Sequence, residues 1–292
     1  TQGPVVPRFE AAVAGAVGAG HAVAVTSATA GLHLACLALG LGPGDLLWTS
    51  PITFVASANC ARYCGADVDF VDIDPRTYNL CPEALATKLE AAERAGRLPD
   101  VVVPVHPTGQ SCDMEAIGAL AERYGFRVIE DASHAIGGSW AGRPVGSCAH
   151  SDVAVFSFHP VKIVTTGEGG MAVTNDPVLA RRLERLRSHG VTREAEEMES
   201  AAHGPWYYEQ LELGYNYRMT DLQAALGLSQ LGRLAEYVDA RHRLAERYDR
   251  CLAEAPLVLP RRDARGRSAL HLYVVRVPGA QAGAGRHRVF EA

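Results

Sequence analysis

Short runs of β-branched and aliphatic residues alternate along the chain with longer stretches of helical periodicity. The alternation is regular from residue 21 to 175. Val23-Ala24-Val25 precedes a helical pattern from about Thr29 to Leu39, and Asp45-Leu46-Leu47-Trp48-Thr49 precedes one from about Phe54 to Cys64. Val68-Asp69-Phe70-Val71 is followed, after a turn at Asp74-Pro75, by a helix from Pro82 to Ala95, with proline at the helix start, where its missing N–H is not needed. Val101-Val102-Val103-Pro104-Val105 leads to a helix from Met114 to Tyr124 and then to a strand at Phe126-Arg127-Val128-Ile129. Asp152-Val153-Ala154-Val155-Phe156 and Met171-Ala172-Val173-Thr174 complete the series. Strands that are apolar on both faces, alternating with helices, predict an α/β fold: a three-layer, mostly parallel sheet with helices on both faces.

The pattern then changes. A charged helix follows Asn175-Asp176-Pro177 and runs to about Ser188, and the polar stretch 191–209 predicts a mobile loop. A helix is expected from about Thr220 to Leu252, with a break near Gly232. Pro256 to Arg267 is a proline- and arginine-rich connection, after which Leu270 to Val277 predicts a strand opening a second unit. This divides the chain into a large domain, 1–250, and the start of a smaller C-terminal α+β domain, 251–292, only partly present. The abrupt opening at Thr1-Gln2-Gly3-Pro4 reads as cut, as does the close at Val289-Phe290-Glu291-Ala292, which has the pattern of a first helical turn.

Composition narrows the function. Of 292 residues, 48% are hydrophobic and 21% charged, and the formal net charge is -5, which argues against nucleic-acid binding through a general basic field. The local arginine clusters (Arg181, Arg182, Arg185, Arg187; Arg241, Arg243, Arg247, Arg250) are interleaved with Glu184 and Glu246, as on solvated helix faces. Seven cysteines, an odd number, lie in apolar surroundings. Cys60 and Cys64 lack a second pair at zinc spacing, so reduced, mostly buried thiols in a cytoplasmic protein are expected, with no metal. The apolar run Ala11–Val25 is short, glycine-rich and interrupted by His21. No signal sequence or membrane span is therefore expected.

Ligands of open α/β sheets sit beyond the carboxyl ends of the strands, so polar residues there are the candidates. Thr26-Ser27-Ala28-Thr29-Ala30-Gly31 opens a helix with small residues, which suits an anion and equally suits ordinary capping by Thr26 or Ser27. Gly15-Ala16-Val17-Gly18-Ala19-Gly20 precedes a strand, the wrong order for a dinucleotide fingerprint. Glu130-Asp131-Ala132-Ser133-His134 follows a central strand, where an aspartate is costly unless something positive faces it. Ser157-Phe158-His159-Pro160-Val161-Lys162 brings a lysine to a strand end before Gly167-Glu168-Gly169-Gly170. A phosphate cradle, a buried carboxylate and a partly desolvated lysine together match the needs of pyridoxal 5′-phosphate.

These segments, with Pro51-Ile52-Thr53-Phe54 and Leu213-Gly214-Tyr215-Asn216-Tyr217-Arg218, occur in the order found in DegT/StrS-group sugar aminotransferases, which the chain resembles over almost its whole length. The resemblance implies fold type I of the pyridoxal phosphate enzymes. It implies Lys162 as Schiff-base lysine and proton shuttle, Asp131 on the pyridine nitrogen, Phe54 stacked on the ring and His134 near its phenolic oxygen. Ser157, Ala28 and Thr29 would hold the phosphate, and Asn216, with Arg218, would reach the neighbouring subunit of a homodimer with shared active sites. Relatives that act as dehydratases have histidine in place of the lysine kept here.

Ala132-Ser133-His134-Ala135, His159-Pro160-Val161-Lys162, Leu186-Arg187-Ser188-His189-Gly190 and Glu212–Arg218 most resemble the PseC-type enzymes. That likeness implies transfer of an amine from glutamate to the C4 ketone of a UDP-linked 4-keto-6-deoxy-N-acetylhexosamine in a pseudaminic-acid-type pathway. Arg187, His189 and Arg218 are candidates for the nucleotide diphosphate. The alternatives are amination at C3 or of another nucleotide sugar, a dehydratase or cysteine desulfurase-like enzyme, a non-catalytic pyridoxal phosphate-binding regulator, and a plain nucleotide-binding α/β protein.

Overall fold

In a computed structural model, which describes residues 3–200, 203–278, 287–288 and 290–291, the apolar runs assemble into one seven-stranded sheet. Its strands are β1 (His21–Val25), β2 (Leu46–Thr49), β3 (Asp67–Phe70), β4 (Val101–Val103), β5 (Arg127–Asp131), β6 (Val153–Ser157) and β7 (Gly170–Thr174). Their order across the sheet is β1-β7-β6-β5-β4-β2-β3. The pairs from β3 to β6 are parallel, and β7 runs antiparallel to both β1 and β6. The expectation of a mostly parallel α/β sheet is met.

Helices cover both faces. They are α1 (Val5–Val17), α2 (Ala28–Ala38), α3 (Ala56–Tyr63), α4 (Pro82–Ala95), α5 (Met114–Tyr124), α6 (Pro177–Arg187), α7 (Asp221–Leu231) and α8 (Leu234–Cys251). One layer packs α2, α3 and α6 on Val23, Val25, Leu47, Ile129, Val153 and Val155. The opposite face buries Ala24, Ala154, Phe156, Met171 and Val173 against α1, α7 and α8, and Trp48, Val102 and Val128 against α4 and α5. Along β6, Val153 and Val155 thus serve one layer and Ala154 and Phe156 the other, the two-residue period of a doubly covered strand. Burying a side chain the size of Phe156 removes apolar surface worth about 1.5–3 kcal/mol.

Local chemistry sets the helix ends. Ser27, Asp113 and Asp176 cap α2, α5 and α6 by accepting backbone N–H bonds, and Thr220 and Gln223 form a capping box on α7. One glycine fixes a close approach: a Cβ on Gly31 would stand 2.9 Å from Val155 Cγ1, so α2 lies directly on β6.

The differences from expectation are local. The sequence pattern did not predict α1, whose apolar positions Val6, Phe9, Val13 and Val17 are buried and lie within and upstream of the glycine-rich run. The break expected near Gly232 is present: Thr220–Leu252 holds two helices, parted at Gly232-Arg233. Within the stretch expected to be a mobile loop, Val191–Thr192 pairs with Glu209–Gln210. Leu270 to Val277 forms no regular strand: its backbone makes one isolated bridge, Val258 with Arg276, and docks elsewhere by single hydrogen bonds. Thr1, Gln2, Val289 and Ala292, which carried the reading of the chain ends, lie outside the described residues, whereas His287, Arg288, Phe290 and Glu291 are helical. No helix among the described residues is long and apolar enough to cross a membrane.

Candidate active site

The carboxyl ends of β1, β2, β5 and β6 surround a cavity of about 420 Å³ lined by Ala28, Thr29, Phe54, Asp131, Ser157 and Lys162, among others. That volume lies within the usual range of small-molecule sites. Ala28 and Thr29 open α2, so the unpaired N–H groups that every helix start carries give onto the cavity. Ser27 Oγ accepts only the Ala30 N–H, at 3.1 Å. Capping and anion binding, alternatives in the sequence, are therefore compatible at this helix start.

The cradle depends on a glycine. Gly170 pairs with both Val25 and Ser157, and a Cβ there would lie 2.5 Å from Ser27 C and 2.6 Å from Ala28 N. Any larger residue would push the start of α2 away from the strand end that carries Ser157.

Asp131 ends β5 and is 5% exposed. Its Oδ2 accepts the Ser57 hydroxyl at 2.6 Å and its Oδ1 the Ser133 N–H at 3.2 Å. Ser57 is in turn 2.6 Å from Thr53 Oγ1. The carboxylate is thus oriented by neutral donors. Among the described residues no Lys, Arg or His makes a salt bridge to it.

Lys162 sits half-buried in the turn between β6 and β7. Burial pushes its amine below the ordinary lysine value, and the Asp131 carboxylate pulls in the opposite direction. The turn is fixed by Lys162 N–H to His159 O at 2.9 Å, Thr166 N–H to Phe158 O at 2.9 Å, and Gln223 Nε2 to Glu168 O at 2.9 Å. A Cβ on Gly169 would strike Thr166 Oγ1 and Met219 Cε, so the turn also needs glycine there.

His134 also lines the cavity. The Thr108 N–H donates to its Nδ1 at 3.2 Å, which assigns the ring proton to Nε2. Burial, followed by the Lys162 charge, holds His134 near a pKa of about 4 despite Asp131. Its ring lies 4.4 Å, centroid to centroid, from that of His271. Burial, then His134, Lys162 and Arg241, lower His271 to about 3. Both imidazoles are neutral at pH 7.

The structure thus brings Ala28, Thr29, Phe54, Asp131, His134, Ser157 and Lys162 to one cavity. It does not bring Asn216, Arg218, His189 or Arg187 there within the single chain. Asn216 and His189 are exposed, and the Arg218 backbone bridges to Val25. Arg187 departs from its expected availability for a diphosphate. It is 9% exposed, with Nη1 2.6 Å from Glu10 Oε1 and 2.9 Å from the Ala24 carbonyl. Its charge is spent inside the protein.

The sequence reading missed Ser57 and His271. A Ser57 spaced three residues after Phe54 on a helix start was a weak signal. Nothing local marks His271, which reaches the site because Ala269 N–H and Leu272 N–H bond to the Gly109 and Thr108 carbonyls.

Comparison with known proteins fits this geometry. The model of the DegT/DnrJ/EryC1/StrS aminotransferase family matches residues 1–292. The spore coat polysaccharide biosynthesis protein SpsC of Bacillus subtilis is 45% identical over 293 residues, covering 100% of this chain and 73% of SpsC. GDP-perosamine synthase of Caulobacter vibrioides is 40% identical over 277 residues, covering 94% of this chain and 70% of the synthase. The structure of Helicobacter pylori PseC, an aminotransferase involved in pseudoaminic acid biosynthesis, superposes with a TM-score of 0.88 at 29% identity, covering 100% of this chain and 74% of PseC. Enzymes of the matched family depend on pyridoxal phosphate.

The cavity fits that cofactor. A helix start kept open by Gly170 suits a phosphate, and an oriented carboxylate without a cation suits a protonated pyridine. An amine whose pKa is lowered by burial suits an aldehyde.

Proposed function

The chain belongs to the DegT/DnrJ/EryC1/StrS sugar aminotransferase family, and from that premise we propose that it moves an amine from glutamate to the C4 ketone of a nucleotide-linked 4-keto-6-deoxy sugar. The observation that carries the reading is the placement of Lys162 and Asp131 on one cavity with the start of α2. When bound, pyridoxal phosphate supplies an aldehyde and an electron-withdrawing ring that make a C–H proton beside nitrogen removable.

The protein's own groups do the rest. The α2 start, with Ser157, binds the phosphate and fixes its register. Asp131, held by Ser57 and Ser133, keeps a proton on the pyridine nitrogen. Lys162 would hold the aldehyde carbon and would serve as general base and acid toward the proton beside the nitrogen. Phe54, 73% exposed in the single chain, covers the ring and excludes water, and His134 offers its Nε2 proton to the phenolic oxygen. Asn216 and Arg218 act on the cavity of a second copy, in a homodimer. The exposed Leu213 and Trp206 nearby support such an interface.

The motifs around His134, Lys162 and Tyr215–Arg218 favour a UDP-linked 4-keto-6-deoxy-N-acetylhexosamine as acceptor. The second reading is a GDP-linked keto sugar, favoured by 40% identity to GDP-perosamine synthase. Incubating the holoenzyme with glutamate and a panel of UDP- and GDP-linked keto sugars, with product identification by mass spectrometry, tests both. Amination of the UDP sugar alone supports the first reading and of the GDP sugar alone the second; amination of neither removes both.

A further inference from the structure

Two polar side chains of the cavity wall, His159 and Glu168, are left unused by the phosphate, the pyridine nitrogen and the aldehyde. They stand near the two ends of the turn that carries Lys162. Their side chains keep 48% and 58% of their surface exposed, so both are open to whatever enters. The backbone beneath each is fixed. The His159 carbonyl accepts the Lys162 N–H at 2.9 Å, and the Glu168 carbonyl accepts the Thr166 hydroxyl at 2.6 Å and Gln223 Nε2 at 2.9 Å.

The two heads face one another. The Val161 N–H donates to His159 Nδ1 at 3.4 Å, which leaves the ring proton on Nε2. Nε2 stands 3.7 Å from Glu168 Oε1. That gap is too wide for a direct hydrogen bond, whose N···O distance runs to about 3.2 Å. One oxygen about 2.8 Å from both atoms, however, fits between them.

The chemistry of the gap selects what fills it. The imidazole N–H donates, so the bridging group must accept. The carboxylate only accepts, so the same group must also carry a proton. Of the groups on the substrates of amine transfer, a hydroxyl meets both demands. A ketone, a carboxylate or an ionised phosphate oxygen has no proton to give, and Glu168 repels the two anions. An ammonium has no lone pair to accept with.

We propose that His159 and Glu168 clamp the C3 hydroxyl of the acceptor sugar, beside the C4 ketone. This rests on the reading of the protein as a C4 aminotransferase of 4-keto-6-deoxy sugars. The carbon that receives the amine must come up to Lys162, and the clamp belongs to the turn that presents this lysine. In such a sugar one neighbour of C4 is C3, with its hydroxyl. The other is C5, with its methyl branch, which cannot occupy the gap. The clamp therefore sets which way round the sugar ring lies. Glutamate carries no hydroxyl, so the clamp acts on the acceptor half of the exchange and is idle in the donor half.

Measuring the two half-reactions separately on the holoenzyme tests this. With glutamate alone, conversion of the cofactor followed by its absorbance should run in Glu168→Ala within about twofold of the parent. With the 4-keto-6-deoxy sugar nucleotide that the parent aminates, UDP- or GDP-linked, kcat/KM should fall by about 10- to 100-fold, the cost of a charge-assisted hydrogen bond. Glu168→Gln, which keeps an acceptor without the charge, should recover part of the loss. The 3-deoxy analogue of the same sugar nucleotide should be a poor substrate of the parent and no poorer for Glu168→Ala. Titration calorimetry supplies a readout apart from turnover: Glu168→Ala should bind the aminated product more weakly by a similar factor and free UDP or GDP as the parent does. Equal losses in both half-reactions, weaker binding of the free nucleotide, or parent-like acceptor kinetics in Glu168→Ala overturn the clamp. So does loss of the dimer in sedimentation, which would assign the two side chains to the subunit interface. A parent that reacts neither with glutamate nor with either sugar removes the aminotransferase reading, and the clamp with it.

Discussion

Glu130 and Asp131 are neighbours on β5, 4% and 5% exposed, yet they belong to opposite kinds of environment. Glu130 points to the closed face of the sheet. One oxygen meets His106 Nε2 at 2.8 Å and the other accepts the Ser151 hydroxyl. The Cys112 N–H donates to His106 Nδ1, which puts the imidazole proton on Nε2, toward Glu130. Both Glu130 oxygens and His106 Nδ1 are matched in that knot, with Ser151 half-buried at its edge. Asp131 faces the cavity on neutral donors alone, with the Lys162 amine across from it. The contrast shows that burial of a carboxylate does not mark a functional site. A carboxylate that still has unspent capacity and faces an open volume does.

The most severe test on the cavity side is Lys162→Ala, expected to lower amine transfer by about 10³-fold or more and to abolish covalent retention of the cofactor after borohydride reduction. Retained turnover would remove the distinction between the two regions. Asp131→Asn keeps the shape and the Ser57 contact but loses the charge. It should lower turnover by about 10²–10³-fold with little change in melting temperature. On the closed side the effect should invert: Glu130→Gln should cost about 1–3 kcal/mol in denaturant titration while leaving turnover within about twofold of the parent.

A further effect is with pH. Unfolded histidines bind protons below about 6.5, whereas folded His134 and His271 stay neutral down to about 4 and 3. Their contribution is therefore fully present above pH 6.5 and is lost as pH falls toward 4. At pH 5 each should contribute about 2 kcal/mol less than at pH 7. Urea titrations at the two pH values should show this loss, and His271→Asn should reduce it by about half.

Much of this architecture was readable from local pattern. Val101–Val103 and Val153–Phe156 are apolar on both faces and could only be central strands. The limits of α4 and α5 follow from Pro82, Gly96 and Gly125. The residues gathered at the cavity were legible because they sit next to those strand ends. What escaped was set by distance along the chain. Ser57 reaches Asp131 across 74 residues and Arg187 reaches Glu10 across 177. No window of sequence contains both partners, so Arg187 read as an available cation and Ser57 did not register. His271 depends on a docking to Thr108-Gly109, where Thr108 takes a positive φ of 63° that composition does not announce.

The start of α7 has a consequence for synthesis on the ribosome. Asp221 Oδ1 accepts the Val6 N–H at 3.0 Å, Gln223 holds the Glu168 carbonyl, and Met219 lies beneath Gly169. A nascent chain that has emerged through residue 200 already holds all eighteen residues around the ligand volume. It still lacks the pins for the lysine turn and for its own first helix. Capture of the vitamin should therefore wait for translation to deliver a few residues near position 220, well after the lysine itself has emerged.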